Sequence, residues 1–164
     1  MSGIRAKTVL NGPFLAVLLM TLGVWCAVTG TATAQQKGVG IRGGASIEPD
    51  QFYFGVHYDT GPLIEHLSFR PNAEAGFGDN RTLVALNFEF AYKIPLPDRD
   101  WSIYVGGGPA AILTRVDRNG DSDTDAGGGF NILIGIAHYK GLFAEVKVGA
   151  IDSPNLKIGV GYSF

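Results

Sequence analysis

The chain has 164 residues, 46% of them hydrophobic, and 13 Lys and Arg against 15 Asp and Glu, for a formal charge of −2. That balance offers no basic stripe for nucleic acid. A single cysteine, Cys26, excludes an internal disulfide framework and any metal site built on several thiolates.

Residues 1–34 read as a secretory signal peptide. Arg5 and Lys7 give a positive start, Phe14 to Val28 carries no charge, and Ala32-Thr33-Ala34 forms a small-x-small pattern before Gln35. The alternative is a membrane-anchoring helix. The apolar run is short for a span of about 20 residues, it contains Gly23, and Thr29-Gly30-Thr31 follows it. A lipoprotein signal at Cys26 is disfavoured by Trp25, because a small residue belongs there. Cleavage after Ala34 removes Arg5, Lys7 and Cys26, which leaves a thiol-free chain of charge −4 and one domain over 35–164.

Beyond the leader, the hydrophobic pattern has period two rather than 3.6. The first strand is Gly38 to Ser46, with Val39, Ile41, Gly43 and Ala45 on one face and Arg42 on the other. Glu48-Pro49-Asp50 is a turn. The second is Phe52 to Asp59: Phe52, Phe54, Val56 and Tyr58 alternate with Tyr53, Gly55, His57 and Asp59. Thr60-Gly61-Pro62 breaks it.

The third strand is Leu67 to Gly78, in which Ser68, Arg70, Asn72, Glu74 and Gly76 share the polar face. Pro71 cannot donate to a ladder, so a bulge or a locally missing bond is expected there. The fourth, Thr82 to Ile94, sets Val84, Leu86, Phe88, Phe90, Tyr92 and Ile94 against Leu83, Ala85, Asn87, Glu89, Ala91 and Lys93. The fifth runs from Trp101 to about Thr114, past Pro109, where a bulge is expected.

Arg115 to Ala126 reads as the longest and most polar connection. Asp117, Asn119, Asp121, Asp123 and Asp125 offer oxygen ligands at alternate positions, and Gly120 offers a bend, as a calcium loop would. The glycine stands at position four rather than six, and no bidentate Glu follows. The competing reading is a solvated acidic loop.

The sixth strand is Gly127 to His138, Tyr139-Lys140-Gly141 is a tight turn, and the seventh is Leu142 to Gly149, with Glu145 and Lys147 on its polar face. The last stretch alternates without a break. Leu156, Ile158, Val160, Tyr162 and Phe164 are apolar, and only Lys157, Gly159, Gly161 and Ser163 intervene.

Eight strands of this length match a tilted membrane crossing of about 9–11 residues, and an even up-and-down count closes a barrel without an edge. With a periplasmic N-terminus, the external connections are 47–51, 78–81, 115–126 and 150–155. The periplasmic ones are 60–66, 95–100 and 139–141, of which the first two are longer than usual for that side. Phe69, Tyr92, Trp101, Tyr162 and Phe164 gather toward the periplasm, and Phe52, Phe77 and Phe130 toward the outside, as interfacial girdles require.

The closing strand resembles the C-terminal signal that the barrel-assembly machinery reads in Gram-negative outer-membrane barrels: Leu156, Ile158, Val160, Tyr162 and Phe164 fit its alternate positions. The stretches from Leu67 to Asp79 and from Trp101 to Gly108 are similar to those of small outer-membrane beta-barrel domain proteins of the OmpA/OmpX-like type. The resemblance implies an eight-stranded outer-membrane barrel and names no particular member.

Two constellations invite a chemical reading. The polar faces carry Arg42, Asp59, Arg70, Glu74, Glu89, Lys93, Glu145, Lys147 and Lys157, with His57 beside them. They form either a narrow gated or proton-linked path or a plug of cross-strand ion pairs. The plug is favoured, because eight strands leave a lumen that side chains just fill. Lys157 is expected near Glu145 or Glu89. The second is His66-Leu67-Ser68, which has the His-x-Ser spacing of a barrel deacylase of lipid A. It falls at the periplasmic edge, away from outer-leaflet lipid, and no third group is in evidence to orient the base.

The sequence therefore predicts an all-β, eight-stranded antiparallel up-and-down transmembrane barrel. It is expected to be a monomer with a closed polar lumen, a structural or surface-interaction role, no catalytic residue and no cofactor. Its partners would be outer-membrane lipid, lipopolysaccharide and the assembly machinery. The alternatives are a lipid-modifying barrel enzyme of the outer leaflet and a soluble exported barrel that binds a small ligand.

Overall fold

A computed structural model describes residues 37–97, 100–118 and 121–164. The signal peptide and its cleavage point at Ala34, together with Asn119, lie outside the described residues.

Alternating sequence becomes alternating burial. The strands are β1 (Lys37–Ile47), β2 (Gln51–Thr60), β3 (Pro62–Ile64), β4 (Leu67–Gly78), β5 (Arg81–Pro95), β6 (Trp101–Arg118), β7 (Asp121–His138), β8 (Leu142–Ile151) and β9 (Leu156–Ser163). Each long strand pairs antiparallel with its neighbours in chain order. β1 joins β9, and β2 pairs with β4, so the sheet closes into a barrel of eight long strands. The short β3 was not expected. It forms within the 60–66 connection and pairs with the start of β4 through Pro62↔Ser68 and Ile64↔Leu67.

The predicted acidic loop over 115–126 is a correction. β6 and β7 continue through it in unbroken register, from Leu113↔Ala126 to Arg118↔Asp121. Both strands are 18 residues long. A crossing uses about 9–11 residues, so the surplus projects beyond the barrel wall as a hairpin. Polar composition suggested a loop, but cross-strand pairing carries the alternation onward.

The two prolines interrupt the ladder differently. Pro71 faces Phe88 on the β5 side in continuous register. On the β2 side pairing ends at His57↔Asn72, and beyond it the Phe69 N–H donates to Thr60 Oγ1 at 3.1 Å. This is the missing bond expected of a residue without an N–H. At Pro109 the expected bulge is absent. The β5–β6 register is the same at Asn87↔Ala110 and Phe90↔Gly107, and pairing lapses only between them.

The outer face is apolar and uncovered: Phe52 is 71% exposed, Ile132 62% and Val160 60%. The inner face holds the charges, and two apolar clusters bound them. Ala91, Tyr104, Leu133, Ala137 and Phe143 pack toward the β7–β8 turn, and Leu83, Ala85, Ala110 and Ile112 pack toward the projecting hairpin. Large inward side chains need room in a lumen this narrow. Gly135 and Gly161 provide it: a Cβ on Gly135 would strike the Tyr104 ring, and one on Gly161 the Phe143 ring.

Candidate functional site: a lumen filled by ion pairs

Inward alternation brings all nine charged residues named from the sequence into one connected network. Arg42 on β1 meets Glu145 on β8 at 2.8 Å and also reaches Glu74 at 3.4 Å and Glu89 at 3.9 Å. Lys147 lies 2.8 Å from Glu89, 3.2 Å from Glu74 and 3.5 Å from Glu145. Arg70 links this centre to Asp59, at 3.9 Å from Glu145 and 3.7 Å from Asp59, and Lys93 closes on Asp59 at 2.9 Å. Lys157 pairs with Glu74, which corrects the expected partners Glu145 and Glu89. The reason is width. β4 stands three strands from β9 around the eight-strand ring, and the lumen is narrow enough for Glu74 to reach across it.

Burying ions costs several kcal/mol each, and attraction offsets it only when geometry is good and the remaining polar atoms are satisfied. Neutral groups supply much of that here. Tyr104 donates its hydroxyl to Glu145 Oε2 at 2.8 Å. Asn131 donates to Asn87 at 2.8 Å, Asn87 to Asn72 at 2.7 Å, and Asn72 to Glu89 Oε2 at 2.9 Å. The three amides form a relay whose last donor points at a carboxylate, so each bond polarises the next. Aromatic faces complete the cage. The Arg70 guanidinium lies 4.8 Å from the Tyr104 centroid and 5.1 Å from that of Phe143, and the Lys157 ammonium lies 4.5 Å from that of Tyr53.

The tyrosines, the asparagine relay and Phe143 were missed as network members, although their inward parity was legible. Phe143 and Tyr104 wall the polar lumen and pack on the Arg70 guanidinium.

His57 is buried beside the network. Its Nε2 lies 2.9 Å from Ser163 Oγ, its ring meets Phe143 edge to face at 5.2 Å, and its Nδ1 has no hydrogen-bond partner. His66 and Ser68 do not come together. His66 occupies a left-handed turn position with φ of 65° and lies 3.8 Å from Glu65, while Ser68 is buried and donates to the Ala91 carbonyl.

The calcium candidates separate along the hairpin. Asp117 is exposed and pairs with Arg115 at 3.2 Å. Asp121, Asp123 and Asp125 face the other way and line an open cavity of about 730 Å³ at the hairpin end of the barrel, with Arg81, Leu83 and Ile112 in its wall. Among the described residues no group of three or more His, Cys, Asp or Glu side chains is placed to hold a metal.

The apolar residues of the closing strand point outward. Ile158, Val160, Tyr162 and Phe164 are exposed, and the Phe164 N–H donates to the Val39 carbonyl at 2.9 Å.

No family model matches the sequence, and no curated protein matches it. Solved structures do match. The N-terminal β-barrel domain of Pseudomonas aeruginosa OprF is 17% identical, with a TM-score of 0.58 over 79% of this chain and 98% of that domain. Neisserial surface protein A is 15% identical, with a TM-score of 0.59 over 77% of this chain and 94% of that one. The fold is therefore that of the small eight-stranded outer-membrane barrels of the OmpA/OmpX-like type.

Proposed function

We propose that the chain spans the outer membrane of a Gram-negative bacterium as a closed-lumen barrel with a structural or surface-interaction role. One observation carries this: the barrel is inside out. Its charges are packed within, and its uncovered outer face is a continuous apolar band of Ile, Val, Leu and Phe. Apolar patches beyond a few hundred Å² are rare on soluble monomers, and a band around the whole barrel suits hydrocarbon.

The lumen network supports a plug rather than a pore. Arg42, Glu74, Glu89, Glu145 and Lys147 side chains are each 1% exposed and reach across the lumen from opposite walls. A permeant ion would have to break several of these contacts at once. The projecting β6–β7 hairpin and its acidic cavity are the surface available to external partners. The outward alternation of β9 suits recognition by the assembly machinery, and lipopolysaccharide would surround the external rim.

The test is fractionation combined with electrophoresis. The expected result is enrichment in outer membranes and a shift in migration between unboiled and boiled samples. Recovery as a soluble periplasmic protein overturns the reading. In planar bilayers the protein is expected to produce no sustained open-channel current.

A further inference from the structure

Among the described residues the lumen network holds one more cation than it has carboxylates. The network has five cations, Arg42, Arg70, Lys93, Lys147 and Lys157, and four carboxylates, Asp59, Glu74, Glu89 and Glu145. Every carboxylate oxygen is already engaged. Asp59 accepts from the Gly61 N–H and from Lys93. Glu74 accepts from Arg42, Lys147 and Lys157. Glu89 accepts from Lys147 and Asn72, and Glu145 from Arg42 and Tyr104. Arg70 is left with its Nε 3.7 Å from Asp59 and without a hydrogen-bond partner, in a residue only 4% exposed.

A cavity adjoins that guanidinium. It has a volume of about 20 Å³, lies at the β7–β8 turn end of the lumen, and is lined by Asp59, Arg70, Lys93, Tyr104, Phe143 and Ser163 among others. Two cations face one carboxylate there, and each oxygen of that carboxylate already accepts one hydrogen bond. The rings of Tyr104 and Phe143 pack on the Arg70 guanidinium and hold it in place. The space suits one water-sized guest. A neutral water would satisfy a donor but leave the excess charge uncompensated in a buried site, which is costly.

We propose that this cavity binds one small monovalent anion of the halide class, held by Arg70 with Lys93 nearby. Its charge brings the lumen network to neutrality. The volume matches a monatomic anion more closely than a carboxylate or a phosphate.

Bromide is the probe. Crystals of the full protein grown in bromide are expected to show an anomalous peak in this cavity, beside the Arg70 guanidinium. Density for a water without anomalous signal, or bromide only on the outer surface, overturns the proposal. In solution, thermal unfolding is compared in chloride and in gluconate at equal ionic strength. The midpoint is expected to be higher in chloride and to rise with its concentration, as ligand linkage requires. Equal midpoints in the two salts overturn the proposal. Arg70→Met is expected to abolish the difference. Should that variant fail to fold, the two wild-type measurements decide alone.

Discussion

Lys147 and Lys157 lie directly opposite one another on β8 and β9, and Glu74 from the far wall contacts both. Like charges at facing positions of a ladder repel. Glu74, paired with both ammonium groups, offsets that repulsion and ties the closing strand to β4 across the lumen. Glu74→Gln removes that anion while keeping the shape. The expected loss is about 3–5 kcal/mol, the range for breaking a buried ion pair by removing one partner. The check is urea unfolding in lipid vesicles. Glu74→Gln combined with Lys157→Met is expected to recover part of the loss, because the second change removes a stranded cation. A double variant less stable than Glu74→Gln alone would mean that Lys157 contributes through packing on Tyr53 instead.

Period-two alternation made the eight long strands and the inward charge set readable, because one residue of slippage would put Arg42 or Glu145 into the lipid-facing band. The partners were not readable. Alternation places Glu74 and Lys157 on the inside but does not say how far Glu74 reaches across the ring. Nor did composition separate a loop from a hairpin at 115–126, because Asp121 to Asp125 are as polar as turn residues yet continue the β7 register. At Pro109 the reading failed for a local reason: an antiparallel ladder can drop a pair without changing register.

The inward glycines act as sockets for aromatic rings. Gly135→Val would drive a side chain into Tyr104 and displace the hydroxyl that binds Glu145 Oε2. Overpacking of this kind costs about 1–3 kcal/mol, and loss of the buried hydrogen bond adds to it. Gly128→Ala serves as the control. It lies on the exposed side, and the nearest atom a Cβ would meet there, the Ala110 carbonyl oxygen, is at 3.9 Å. Its stability is expected to stay within about 0.5 kcal/mol of wild type. Equal losses for the two variants would rule out the socket role.

A charge on the outer face separates a membrane barrel from a soluble one. Ile134 is 54% exposed and lies near the middle of the part of β7 that pairs with β8, so Ile134→Lys in water would be close to neutral. In a bilayer midplane it is expected to cost about 2–4 kcal/mol. Ser122→Lys, on the projecting part of the same strand, is expected to cost almost nothing. Folding titrations of both variants into vesicles give the comparison. If Ile134→Lys is as well tolerated as Ser122→Lys, the apolar band does not face lipid.

The hairpin gives the orientation its own test. β6 and β7 exceed a crossing in length at one end only. At the other end His138 and Leu142 are joined through a tight turn in which Gly141 has a φ of 101° and its N–H donates to the His138 carbonyl. Short turns belong on the periplasmic side and long excursions outside. An epitope inserted between Asn119 and Gly120 is therefore expected to be stained by antibody on intact cells, and one inserted at Lys140 only after the outer membrane is permeabilised. The first site joins two strands already beyond the wall, so insertion there should leave the heat-dependent gel shift unchanged. Staining of the Lys140 epitope on intact cells would invert the barrel. It would place the acidic cavity in the periplasm, facing periplasmic partners rather than the external surface.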